Sequence, residues 1–181
     1  MGKPSTLFCP KPVLRPAIDF LPAAGPYLSW FLPNTAQLAR VLPEKPAATT
    51  GRINAALVFV AKEAAWKALP KTLQTATFHP AQFVLQKANG PSYHLLHKAT
   101  ETALLAQVWS TPFAAIAAVQ ASGLNLWLGP EKLHRPLPNC LSKSHEYGLQ
   151  MRLHLPSEKL PSPFLLWLWG PEISFWSLHQ W

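Results

Sequence analysis

Twenty prolines are spread through the 181 residues of this chain. Each fixes φ near −65° and removes a backbone donor, so the sequence is cut into short pieces and long uninterrupted elements are disfavoured. Within that constraint the best helix is Phe59-Val60-Ala61-Lys62-Glu63-Ala64-Ala65-Trp66-Lys67-Ala68-Leu69, stopped by Pro70. Ala, Leu, Lys and Glu are strong helix formers. The apolar run Ala55-Ala56-Leu57-Val58-Phe59 ahead of it reads as a strand or as the helix's lead-in. Glu63 and Lys67 lie four apart and share a face, with Trp66 beside them. Lys62 sits about 100° round the wheel and can point elsewhere. Read blandly, this is a surface helix with one Glu–Lys pair worth about 0.2–0.5 kcal/mol.

A second landmark lies upstream. Ala17-Ile18-Asp19-Phe20-Leu21 is strand-like and holds the only aspartate of the sequence. A carboxylate inside an apolar strand is costly unless it is paired or bound to a cation. The alternative places Asp19 at a strand end facing water, or as a turn cap ahead of Pro22. Tyr27 to Leu42 has a mixed helical reading, with Asn34 or Thr35 as cap. Residues 43–54 form a loop in which Arg52 is a candidate phosphate contact or a solvated side chain.

Downstream, a strand begins after Pro80, and Asn89-Gly90 followed by Tyr93-His94-Leu95-Leu96 predicts a hairpin. Residues 102–128 carry no charged side chain, but Gln107, Ser110, Thr111, Pro112, Gln120, Ser122 and Asn125 make a poor membrane span. They read as two buried strands separated at Pro112. From about Leu124 the character shifts to recurring Leu-Pro and Gly-Pro pairs and a Trp-rich end. No fixed period recurs there, so a solenoid is excluded.

The formal charge of +8 points to anionic partners. No dense Arg/Lys run or aromatic–basic alternation marks a nucleic-acid module, so no specific nucleic-acid partner is expected. Cys9 and Cys140 are far apart, without metal-ligand or redox spacing, as for two reduced thiols in a cytoplasmic protein. Met1-Gly2-Lys3-Pro4-Ser5 opens no apolar core of signal-peptide length.

An aromatic, two small residues, Lys-Glu, a small residue, two variable positions and Lys resembles the signature of the 4'-phosphopantetheinyl transferases. The matching positions are Phe59, Lys62, Glu63, Ala64 and Lys67. In that family a metal-binding aspartate stands in a strand some forty residues earlier, and Asp19 precedes Glu63 by 44 positions. Ala17 occupies the family's usual Gly position, Leu21 the place of a second acid, and Gln37 that of an acid in a short helix. The resemblance covers about residues 17–122 and corresponds to the second of two similar halves in the enterobactin- and surfactin-type enzymes of siderophore or antibiotic biosynthesis. The first half has no counterpart in residues 1–16. Single-half members of the family assemble as trimers, so the resemblance allows a homo-oligomer.

The resemblance implies Mg²⁺-dependent transfer of phosphopantetheine from coenzyme A to a serine of an acyl or peptidyl carrier protein. Asp19 and Glu63 would bind Mg²⁺, and Glu63 is also the candidate base. Lys67 would hold a phosphate, with Lys62 as a further phosphate contact. Hard oxygen ligands suit Mg²⁺, which needs only one or two protein carboxylates. A reading of another class is a non-catalytic basic protein that associates with membranes or polyanions through its charge and Trp-rich tail. The expected architecture is α+β, a small antiparallel sheet packed on the Lys62–Leu69 helix, with no transmembrane span. It is flanked by a Pro-rich arm over residues 1–16 and an irregular Pro/Trp-rich extension over residues 123–181.

Overall fold

A computed structural model of the chain describes residues 12–32, 36–44, 48–50, 53–112, 114–130, 140–146, 148–155, 165–169 and 172–175. The architecture is α+β: an almost wholly antiparallel sheet packed on one principal helix, as the sequence implies. Strand β1 spans Ala17–Pro22, and a 3-10 segment follows over Gly25–Phe31. Helix α1 (Ala36–Val41) and strand β2 (Ala48–Thr50) are short. Helix α2 spans Ala55–Ala68. Strands β3 (Phe83–Asn89), β4 (Ser92–His97), β5 (Thr102–Ser110) and β6 (Ala114–Val119) complete the first sheet. Its order is β1-β6-β5-β4-β3-β2, antiparallel except where β2 meets β3.

Local chemistry accounts for the elements. Asn54 is extended and its side chain accepts from Leu57 N at 2.9 Å, satisfying one of the orphan donors that every helix start leaves. The run Ala55–Phe59 is therefore the helix's first turns and not a strand. Asn54→Ala is expected to lower stability by about 1 kcal/mol, measured as a shift of the urea midpoint at constant slope. The Asn89–Gly90 signal makes the β3–β4 hairpin, where Gly90 takes the left-handed φ of +55° that the tight turn requires. Pro112 falls between β5 and β6, the two strands expected on either side of it.

Strands β1 and β6 are buried on both faces, which is why they read as near-continuous apolar runs. With a period of two, Ala17, Leu21, Ala115, Ala117 and Val119 join the core under α2. Ile18, Phe20, Ala114, Ile116 and Ala118 join a second core with Leu126, Met151 and Leu153. Alanines at the β6–α2 contact let the helix backbone approach the sheet closely. The half-exposed side of α2 is covered by an aromatic row. Phe59 meets Trp30 and Phe78 edge-on, with centroids 5.1 and 5.5 Å apart, and Trp66 lies 6.1 Å from Phe78.

The second core corrects the reading of residues 123–181 as an irregular extension. Strands β7 (Asn125–Pro130), β8 (Ser142–Glu146), β9 (Leu149–His154), β10 (Leu165–Trp169) and β11 (Glu172–Phe175) form an antiparallel sheet of order β11-β10-β7-β9-β8. Leu126, Trp127, Met151 and Leu153 are fully buried. Burial of each such side chain contributes roughly 1.5–3 kcal/mol, enough to hold this sheet against β1 and β6. The Ser142 hydroxyl accepts from Ile18 N at 3.1 Å and ties β8 to the outer edge of β1. At the other end, the Pro-rich arm is anchored where it is described: Arg15 N donates to Ala68 O at 2.8 Å. Residues 1–11, the expected caps Asn34 and Thr35, and Arg52 lie outside the described residues. Among the described residues no helix is long and apolar enough to cross a membrane.

A candidate active site at the β1–α2–β8 junction

Period-two alternation turns Asp19 to the same side of β1 as Ala17 and Leu21, towards α2. It is buried, with 2 % of its surface exposed, so the water-facing strand end does not occur. Its partner comes from the last turn of α2. Lys67 Nζ lies 2.6 Å from Asp19 Oδ1 and 3.4 Å from Glu63 Oε1. The i,i+4 pair of the helix thus closes onto a carboxylate from β1, and one ammonium bridges both acids. The Ser144 hydroxyl of β8 also donates to Asp19 Oδ1, at 2.6 Å. Asp19 Oδ2 is buried and has no hydrogen-bond partner among the described residues.

The electrostatics follow from two buried negative charges and one positive. Burial pushes the Asp19 carboxyl above the usual carboxylate range, against the pull of Lys67, Ser144 and a backbone contact from Phe20. Burial also raises Glu63, and the Asp19 charge adds to it. Lys67 opposes them, Glu146 contributes a further negative charge, and the Glu63 carboxyl ends at about 7. Burial would lower Lys67, but Asp19 and Glu63 outweigh it and the ammonium is held above its ordinary value. The cluster is short of one positive charge, so a proton or another cation is favoured there near neutral pH. Glu146 itself, at the end of β8, accepts from the Tyr27 hydroxyl at 3.0 Å.

Lys62 does not join this group. Its Nζ lies 2.6 Å from Glu44 Oε1 and its side chain is 0 % exposed. The same Glu44 oxygen accepts from Leu85 N at 2.7 Å, so the pair fastens α2 to the loop after α1 and to β3. Burial lowers the Lys62 pKa in spite of Glu44. The two positions where the family's acids are missing are occupied quietly. Leu21 packs in the core under α2, and Gln37 donates to Ser29 Oγ at 3.2 Å.

Sequence reasoning overlooked Ser144, Glu146 and Tyr27, which the chain delivers from both sides of the motif. It also overlooked a cleft of about 350 Å³ beside Lys67, whose wall includes Arg15, Lys71 and Lys143. The cleft sits at the C-terminal end of α2, whose carbonyls are already covered. Gln74 Nε2 donates to Lys67 O and Leu69 O at 3.1 and 2.8 Å, and the Arg15 guanidinium donates to Leu69 O at 2.8 Å. Among the described residues, no three His, Cys, Asp or Glu side chains converge as a ready ligand set for a metal. No family model, curated protein or solved structure matches this chain.

Proposed function

We propose that this chain transfers 4'-phosphopantetheine from coenzyme A to a serine of an acyl or peptidyl carrier protein. The observation that carries the reading is the meeting of Asp19, Glu63 and Lys67 at one nitrogen, although β1 and α2 are separated by more than thirty residues of chain. The contact brings together a strand aspartate and a helix Lys-Glu signature that the sequence relates only by spacing. In the reaction the serine oxygen bonds to the phosphorus that carries the pantetheine arm. The bond from that phosphorus to the bridging oxygen breaks, and 3',5'-ADP leaves with the electron pair. The serine proton passes to Glu63, the more exposed of the two carboxylates that meet Lys67. Lys67 supplies positive charge to the phosphate under attack.

Magnesium fits the donors present. Asp19 Oδ2 is a buried hard oxygen with no hydrogen-bond partner among the described residues, and the Glu63 carboxylate reaches the same ammonium as Asp19. Asp19 and Glu63 would hold the ion, with the remaining positions left to water and substrate oxygens. When bound it would neutralise charge on the diphosphate. Lys62, buried against Glu44, takes no part in this scheme.

The test is incubation of the full chain with coenzyme A, magnesium and a panel of apo carrier proteins, followed by intact-mass measurement. The expected result is a carrier heavier by one phosphopantetheine arm, dependent on magnesium. Carriers of unchanged mass across the panel, in samples whose folding is confirmed by circular dichroism, would sink the proposal.

A further inference from the structure

The cleft beside Lys67 is lined by four basic residues, Arg15, Lys67, Lys71 and Lys143, and by no carboxylate among the described residues. Lys67 is already matched by Asp19 and Glu63. Lys71 and Lys143 enter none of the ion pairs among the described residues, and Arg15 spends one guanidinium nitrogen on Leu69 O. Three cations thus border one small concavity with no ion-pair partner among the described residues, brought there by three distant parts of the chain: the segment before β1, the segment after α2, and β8. The three residues are solvent-exposed, so their repulsion is screened, and together they make one concave basic patch suited to an anion.

A helix C-terminus ordinarily repels anions through its free carbonyls. Here Gln74, the Arg15 amide and the Arg15 guanidinium cover the carbonyls of Lys67, Ala68 and Leu69. The unfavourable end of the dipole is therefore screened at the place where the bases gather. A volume of about 350 Å³ lies at the small end of ligand sites, with room for phosphate groups and not for a whole nucleotide cofactor.

We propose that the cleft of Arg15, Lys71 and Lys143 is a phosphate-binding site that takes the diphosphate of the donor, directly beside Lys67, with an affinity of its own that does not require the metal to be present. The assignment rests on the transferase reading for the identity of the donor, but it is tested apart from it. Lys67 forms the wall shared by the cleft and the carboxylate cluster, so an anion seated here lies within reach of its ammonium. Arg15, Lys71 and Lys143 act as binding residues for that anion.

The experiment is calorimetric titration of the full chain with inorganic pyrophosphate in EDTA. It compares wild type with the double variant Lys71→Ala/Lys143→Ala and with the control Arg40→Ala/Lys87→Ala, which removes two exposed bases away from the cleft. The cleft variant is expected to bind about tenfold more weakly, from the loss of charge-assisted hydrogen bonds, while the control matches wild type. Equal weakening of both variants would show diffuse attraction to a chain of net charge +8 and overturn the site. So would undetectable binding by wild type. Phosphopantetheine transfer without pyrophosphate binding would overturn the cleft alone. Pyrophosphate binding at the cleft without transfer would overturn the transferase reading and leave the site as an anion pocket.

Discussion

Lys67→Met is expected to destabilise the protein by about 3–5 kcal/mol at pH 8, the range found when one member of a buried ion pair is removed. Methionine keeps the length and the packing of the side chain and takes away only the charge. Asp19 is then left 2 % exposed with the Ser144 hydroxyl and Phe20 against its carboxylate and no cation beside it. Folded domains have about 5–15 kcal/mol in total, so the loss is a large part of the whole. Two further measurements separate this mechanism from a packing defect. Burial raises the Asp19 pKa, so protonation relieves the unpaired charge and the defect should shrink at pH 5. The double variant Asp19→Asn/Lys67→Met removes the charge outright and should recover most of the stability. On the proposed transferase reading, transfer should be absent in both, because the ammonium assigned to the phosphate is gone. A Lys67→Met protein as stable as wild type at pH 8 would mean that Asp19 does not depend on this lysine.

The parts of the fold legible in the sequence are those fixed by neighbouring residues. The helix ending at Pro70, the Asn89–Gly90 hairpin and the break at Pro112 rest on local propensity and turn chemistry, which tertiary packing did not override. Asp19 was legible in another way: a single aspartate in an apolar strand demands a cation, though composition alone does not say which. The family-like spacing supplied Lys67 as the candidate partner. Lys62 misled because adjacency in sequence is not adjacency on a helix. A step of about 100° carries it from the β1 side to Glu44 and β3. The contribution of β8 and β9 was hidden by the prolines and tryptophans around them. A two-residue alternation was nevertheless present in Met151-Arg152-Leu153, where the flanking pair is buried and Arg152 is partly exposed. Ser144, Glu146 and Lys143 could not be assigned to the site without that strand pairing, since the contact between β8 and β1 brings Ser144 to Asp19, Glu146 near Glu63 and Lys143 to the cleft.

The acid beside that lysine makes a separate prediction, in pH. Glu63 titrates at about 7 in the folded protein against 4.5 as its ordinary value, through burial first and the Asp19 charge second. Between these pH values the folded state binds more protons than the unfolded state, so stability falls as pH rises through the window. A displacement of this size corresponds to about 3 kcal/mol lost between pH 4.5 and full ionisation. Glutamine cannot ionise, so Glu63→Gln should be more stable than wild type at pH 8 and nearly equal to it at pH 4.5. Urea unfolding of both proteins across this range reads Glu63 together with its coupled neighbours Asp19 and Lys67, while groups remote from the cluster cancel in the difference. Magnesium added to the wild type should flatten its slope, since a cation against the carboxylate lowers its pKa, and should leave Glu63→Gln almost unaffected. The same substitution removes the proposed base and should slow transfer by about 10²–10⁴-fold. A stability difference between the two proteins that stays constant from pH 4.5 to 8 would mean that Glu63 ionises as an ordinary surface acid. A carboxyl of that kind could not store the serine proton near neutrality.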